Sequence, residues 1–152
     1  AKQYYAQKYP TVVTDYQGFK GIEGEDGQVT TRSPQPFYFP VHYLMPVETN
    51  VPAIDFDLYS SSSRRMTIDR IMDEWKPFVT PRLQLVQETD PSAYSVILMH
   101  PGIPQTHPHL SRPESFSSVV LRIPDLLESA SRLGTPSASI SVYIYDTQLY
   151  ST

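Results

Sequence analysis

Between Ser60 and Pro77 the apolar positions recur at helical spacing. Met66, Ile68, Ile71, Met72 and Trp75 fall on one face while Arg65, Asp69, Asp73 and Lys76 point elsewhere. Ser60 to Ser63 offers several N-caps and Lys76-Pro77 a stop, so this is the best-defined helix of the chain, with Trp75 and the methionines on its core stripe. A second, shorter helix starts at Pro124, runs through Leu126, Leu127, Ala130 and Leu133, and stops at Gly134.

Period-two patterning predicts the strands. Ala53 to Leu58 sets Ile54, Phe56 and Leu58 against Ala53, Asp55 and Asp57, and Ala138 to Asp146 sets Ile140, Val142 and Ile144 against serines and tyrosines. Phe78 to Glu88 reads as a strand with Thr80, Arg82, Gln84 and Val86 on one face and Val79, Leu83 and Leu85 on the other. Across the Asp90-Pro91-Ser92 turn, Tyr94 to His100 forms the second arm of a hairpin, with Val96, Leu98 and His100 sharing a face. Phe116 to Ile123 adds a strand, and Phe37 to Leu44 another, in which Pro40 removes one ladder donor.

Upstream, Tyr4, Tyr5, Tyr9, Val12, Val13, Tyr16 and Phe19 suit a helix interrupted at Pro10, and Gly18 to Pro36 reads as a long mobile connection. The order of elements predicts an α+β fold with a mainly antiparallel sheet behind a helical N-terminal lead-in. The 15 prolines leave few windows for long helices, which excludes an all-helical bundle.

Composition narrows the function classes. At 152 residues with 39% hydrophobic positions the chain is long enough and apolar enough for a core. Sixteen acidic against twelve basic residues, with no Lys/Arg cluster beyond Arg64-Arg65, leaves no footprint for a phosphate backbone, so nucleic acid is not an expected partner. The absence of cysteine excludes disulfides, thiol catalysis and Cys-ligated metal sites. No run approaches the roughly 20 apolar residues of a membrane span. Ala1-Lys2-Gln3 reads as a cut start, so membrane attachment is expected outside this chain.

Several short motifs then fall in a fixed order: Tyr38-Phe39-Pro40-Val41, Asp55-Phe56-Asp57-Leu58-Tyr59-Ser60, Arg64-Arg65, Thr80-Pro81-Arg82-Leu83-Gln84-Leu85-Val86-Gln87, Tyr94 to Ile103, Val119 to Leu127 and Ile140 to Asp146. Together they resemble the CHASE domain, the extracytoplasmic sensor of membrane histidine kinases and nucleotide cyclases, including plant cytokinin receptors. Gly102-Ile103 departs from the usual Val-Tyr after Pro101, and Asp55 stands where a small residue is common.

The resemblance implies a pair of PAS-like lobes behind a helical stalk. Residues 1–36 would be the remnant of the lead-in helix and a linker, 37–114 the membrane-distal ligand-binding lobe, and 115–152 a truncated membrane-proximal lobe. It implies an extracellular or periplasmic module joined to the membrane by flanking transmembrane helices absent from this chain, capable of forming a homodimer, and non-enzymatic. Its partner would be a small organic ligand, with cytokinin-like adenine derivatives as one class. No cofactor is expected.

Asp57 matches the position at which cytokinin receptors hydrogen-bond the adenine ring, and a carboxylate beside an apolar strand can fix a donor-rich heterocycle. The competing reading is a cap on the turn at Ser60 or the following helix. Thr80 and Val86 match two further pocket positions, and even spacing would put both on one strand face. Leu98, His100 and Phe39 complete the candidate ligand-binding set, with the strands around Thr80 and Leu98 as pocket floor. His107-Pro108-His109 resembles a metal pair, but no third ligand is fixed by spacing, so no metal site is assigned. There is no phosphate loop, G-x-S-x-G elbow or H-E-x-x-H pair, and no catalytic residue is assigned. A ligand-free dimerisation or protein-interaction spacer is the alternative reading.

Overall fold

The computed structural model describes Gln7, residues 18–23, 28–102, Pro113 and residues 115–133. The expected lead-in helix before Gly18, the His107/His109 pair and the strand from Ala138 to Asp146 lie outside the described residues. The chain divides into two compact units, Ala1–Met66 and Thr67–Thr152.

In the first unit, Lys20–Ile22 (β1) and Val29–Thr31 (β2) pair antiparallel, with Lys20 opposite Thr31 and Ile22 opposite Val29. The stretch read as a plain connection therefore carries a small sheet. Gly21 is required there: a Cβ would lie 2.3 Å from Cδ of Arg32 and 2.7 Å from Cβ of Ser60.

The expected strands Phe37 to Leu44 and Ala53 to Leu58 are corrected to short, interrupted pairings. Pro40 has no N–H, so the ladder shrinks to one bridge, Pro40 with Asp57, flanked by Val41 N–H donating to Phe56 O and Leu58 N–H to Phe39 O. Val51–Ala53 and Leu58–Ser60 are 3₁₀ turns, and Asp55 between them takes a φ of 58°. Ile54, Asp55, Phe56 and Asp57 are all buried, so the alternation of apolar and acidic residues does not separate two faces.

The helix Ser62–Glu74 (α1) lies where its spacing predicts. Its buried positions are Arg64, Thr67, Ile68 and Ile71, an i, i+3, i+4, i+7 set. Met66 is 55% exposed and Trp75 36% exposed, a correction to the expected stripe. The Arg64 guanidinium sits 5.2 Å from the centre of the Phe56 ring, and burial lowers its pKa to about 10, still charged at neutral pH. Trp75, with φ 54°, has already left the helix.

In the second unit, Phe78–Val79 (β3), Ser95–Pro101 (β4) and Phe116–Arg122 (β5) form an antiparallel sheet in the order β3-β4-β5. Val79 faces Leu98, and β4 pairs with β5 along its whole length, from Ser95 opposite Arg122 to Pro101 opposite Phe116. Ser95, Ile97, Met99 and Pro101 point inward, and the alternate positions of β4 are less buried. The helix Ile123–Leu133 (α2) follows β5 directly, with Pro124 in its first turn. Antiparallel sheets with two helices among the described residues make this an α+β fold.

The expected strand Phe78 to Glu88 is corrected to β3 alone. Pro81 cannot donate to a ladder, and pairing resumes only at a single bridge, where Leu83 and Ser95 exchange N–H···O bonds of 2.9 and 2.8 Å. Val86 and Gln87 then form a turn.

Candidate functional site

Asp57 is the most fully engaged of the expected site residues. It precedes the 3₁₀ turn Leu58–Ser60 with extended backbone, which lets its carboxylate fold back as a cap. Oδ1 accepts N–H of Phe39 at 2.9 Å and of Tyr59 at 3.1 Å, and Oδ2 accepts Nε of Arg32 at 3.1 Å. The residue is sealed from solvent. Both its capping role and a guanidinium partner from a distant segment are therefore present, and Phe39 meets it through its backbone.

Arg32 continues the network. Its Nη1 donates to Oε1 of Glu23 at 3.1 Å, and Glu23 also accepts N–H of Ser33 at 2.8 Å and Oγ of Ser33 at 3.1 Å. The Ser33 amide foremost, with the Ser33 hydroxyl and Arg32, lowers the Glu23 pKa below the ordinary carboxylate value of 4.5. Lys20, whose Nζ reaches the carbonyl of Pro52 at 3.0 Å, is shifted down by burial against the opposing pull of Asp55.

Glu23 and Arg32 border a cleft of about 570 Å³ whose lining is completed by Ile22, the serines 60–62 and Arg65. Ser60 forms its floor, with Oγ donating to Asp57 O at 2.6 Å and accepting Ile22 N–H at 3.0 Å. Arg65 stands on its wall: Nε donates to Tyr59 O at 3.1 Å, and the guanidinium lies 5.0 Å from the centre of the Tyr59 ring. Tyr59 in turn packs with Phe37 and Phe39, at centroid distances of 5.0 and 5.7 Å. Chemically the cleft offers hydroxyls, one carboxylate and two guanidinium groups rather than an apolar slot.

The other expected residues lie in the second unit. Thr80 is buried, its N–H donating to Ile97 O at 2.9 Å and its Oγ1 accepting Ile97 N–H at 3.0 Å. The β3-β4 register places Thr80 with the inward-facing Ile97, whereas Leu98 pairs with the exposed Val79 and is itself 38% exposed. Thr80 and Leu98 thus point to opposite faces of the sheet. His100 is on the Leu98 face, exposed, with Nδ1 2.8 Å from the carbonyl of Pro101. Val86, in its turn, does not share a strand face with Thr80.

Glu23, Arg32 and Arg65 line this cleft and are not among the candidates the sequence offers. Nothing in their spacing signals a common cleft, since β1, the loop after β2 and α1 bring them together. Among the described residues no group of three His, Asp or Glu side chains is placed to hold a metal ion, and no helix is long and apolar enough to cross a membrane.

The family model of the CHASE domain matches residues 6–151, nearly the whole chain. No curated protein matches the sequence.

Proposed function

The chain belongs to the CHASE domain family, the sensory, non-catalytic extracytoplasmic modules of membrane receptors, and we propose that it senses a small organic ligand on behalf of a transmembrane histidine kinase or nucleotide cyclase. The observation that carries the ligand reading is the polar cleft beside Arg65, whose volume of about 570 Å³ lies within the roughly 300–1,000 Å³ of small-molecule pockets. A ligand held there contacts both the β1 end and the start of α1. Its effect on the receptor is a population shift, no larger than its differential affinity for two arrangements of the domain. Flanking transmembrane helices would carry that shift to the output, and pairing of two copies would fit such a receptor.

Cytokinin-like adenine derivatives are one ligand class to test. Asp57, the expected adenine contact, already accepts three hydrogen bonds out of reach of solvent, so such a ligand would have to displace Phe39 or Tyr59 from it. A second reading, a spacer that takes no small molecule, is favoured by the same observation: Asp57 and Thr80 both satisfy their side chains within the protein.

A thermal-shift screen against adenine-type cytokinins, amino acids, short peptides and carboxylates separates the two. A ligand at a hundred times its dissociation constant stabilises by about 2.7 kcal/mol, a readily visible rise in melting temperature. A concentration-dependent rise for one class supports sensing. A folded protein that responds to none supports the spacer.

A further inference from the structure

We propose that the cleft takes a zwitterion of the α-amino-acid class, its carboxylate on Arg65 and its ammonium on Glu23. This rests on the ligand-sensing reading above and names the class of ligand at that cleft. Glu23 and Asp57 are two carboxylates sharing one guanidinium, that of Arg32, each at 3.1 Å. One negative charge is left over. Asp57 is sealed in the interior, whereas the Glu23 side chain keeps 28% of its surface exposed on the cleft wall, so the surplus is available at Glu23.

Arg65 carries the opposite surplus. Among the described residues no carboxylate pairs with it, and its guanidinium makes one hydrogen bond, from Nε to Tyr59 O. That bond and the Tyr59 ring hold the guanidinium in place while its two terminal NH₂ groups stay available for the bidentate grip a carboxylate takes. Ser62, exposed at the start of α1, adds a hydroxyl that makes no hydrogen bond among the described residues.

One lining therefore presents a cation with no carboxylate partner and a carboxylate that shares its guanidinium with a second one. A simple anion would satisfy Arg65 but face the excess charge of Glu23. A simple amine would do the reverse. A molecule carrying both charges meets both, and the choice discriminates by charge pattern as well as by attraction.

The test is a thermal-shift and calorimetric titration of the chain with the twenty standard amino acids, each responder being repeated as its carboxamide and as its deaminated acid. The expected result is a saturable response to at least one amino acid, with both analogues binding at least tenfold more weakly. Arg65→Gln abolishes the response. So does Ser62→Glu, which sets a carboxylate three residues before Arg65 on the same helix surface. Both positions are exposed, so the unliganded melting temperature holds. An analogue that binds as well as its parent, or a response undiminished in Arg65→Gln, overturns the assignment. If no amino acid binds but an adenine derivative or peptide does, the sensing reading stands and the zwitterion assignment falls. If nothing binds, both fall.

Discussion

Arg32 and Asp57, 25 residues apart in sequence, meet through a single Nε to Oδ2 bond of 3.1 Å in which both side chains are almost wholly removed from solvent. The pair ties the segment after β2 to the turn before α1. Asp57 has two further donors, the amides of Phe39 and Tyr59, so its negative charge is matched on every side. Removing it orphans two amides and takes from Arg32 one of its two carboxylate partners, Glu23 remaining.

Asp57→Ala should accordingly lower stability by about 1–3 kcal/mol for each amide it orphans. Urea denaturation measures it. Asp57→Asn keeps an oxygen for the amides and should lose less. A loss of affinity for a ligand with no loss of stability would instead return Asp57 to the binding site.

How much of this was legible in the sequence depends on the distance over which each feature acts. The helix Ser62–Glu74, the strands Ser95–Pro101 and Phe116–Arg122, and the helix starting beside Pro124 are written in local periodicity and capping chemistry, and the structure has them where the pattern puts them. The α1 stripe was misplaced because Arg64, a charged residue, is buried over Phe56. Period two between Ala53 and Leu58 is present, yet it describes no strand, since the carboxylate of Asp57 is held inside by a partner no local window contains. The cleft was illegible for the same reason. Glu23, Arg32 and Arg65 belong to separate segments, and the close approach at Gly21 sets Arg32 beside Ser60.

Gly21→Ala tests that close approach. The new Cβ would meet Arg32 Cδ at 2.3 Å and Ser60 Cβ at 2.7 Å, and although the arginine stem can yield, the serine is tied at both ends by hydrogen bonds. Overpacking of this kind costs roughly 1–3 kcal/mol. Thermal melting should fall for Gly21→Ala, and an unchanged melting temperature would show that the serine yields.

Thr80 carries a prediction confined to the second unit. Its Oγ1 accepts the Ile97 amide at 3.0 Å in a buried setting, standing in for a backbone carbonyl just where Pro81 interrupts the β3 ladder. Thr80→Val preserves shape but orphans that amide, at about 1–3 kcal/mol. Amide hydrogen exchange at Ile97 should accelerate more than at its β4 neighbours. Equal protection in the variant would show that the hydroxyl is dispensable.

Stability should also decline in acid, and the sign follows from two carboxylates. The Ser33 amide, with the Ser33 hydroxyl and Arg32, depresses Glu23 below 4.5; the Ser92 hydroxyl and amide, at 2.7 and 2.8 Å, depress Asp90 below 3.8. A carboxyl group whose pKa is lower in the folded than in the unfolded chain contributes its stability in full above the unfolded value. That contribution is lost as pH falls through the folded one. The chain should therefore hold its stability above about pH 5 and lose it progressively below about 4.5, the unfolded glutamate range. Denaturant midpoints measured from pH 3 to pH 7 should show that slope, and Glu23→Gln combined with Asp90→Asn should flatten it. A double variant with the wild-type slope would assign the acid sensitivity to other carboxylates.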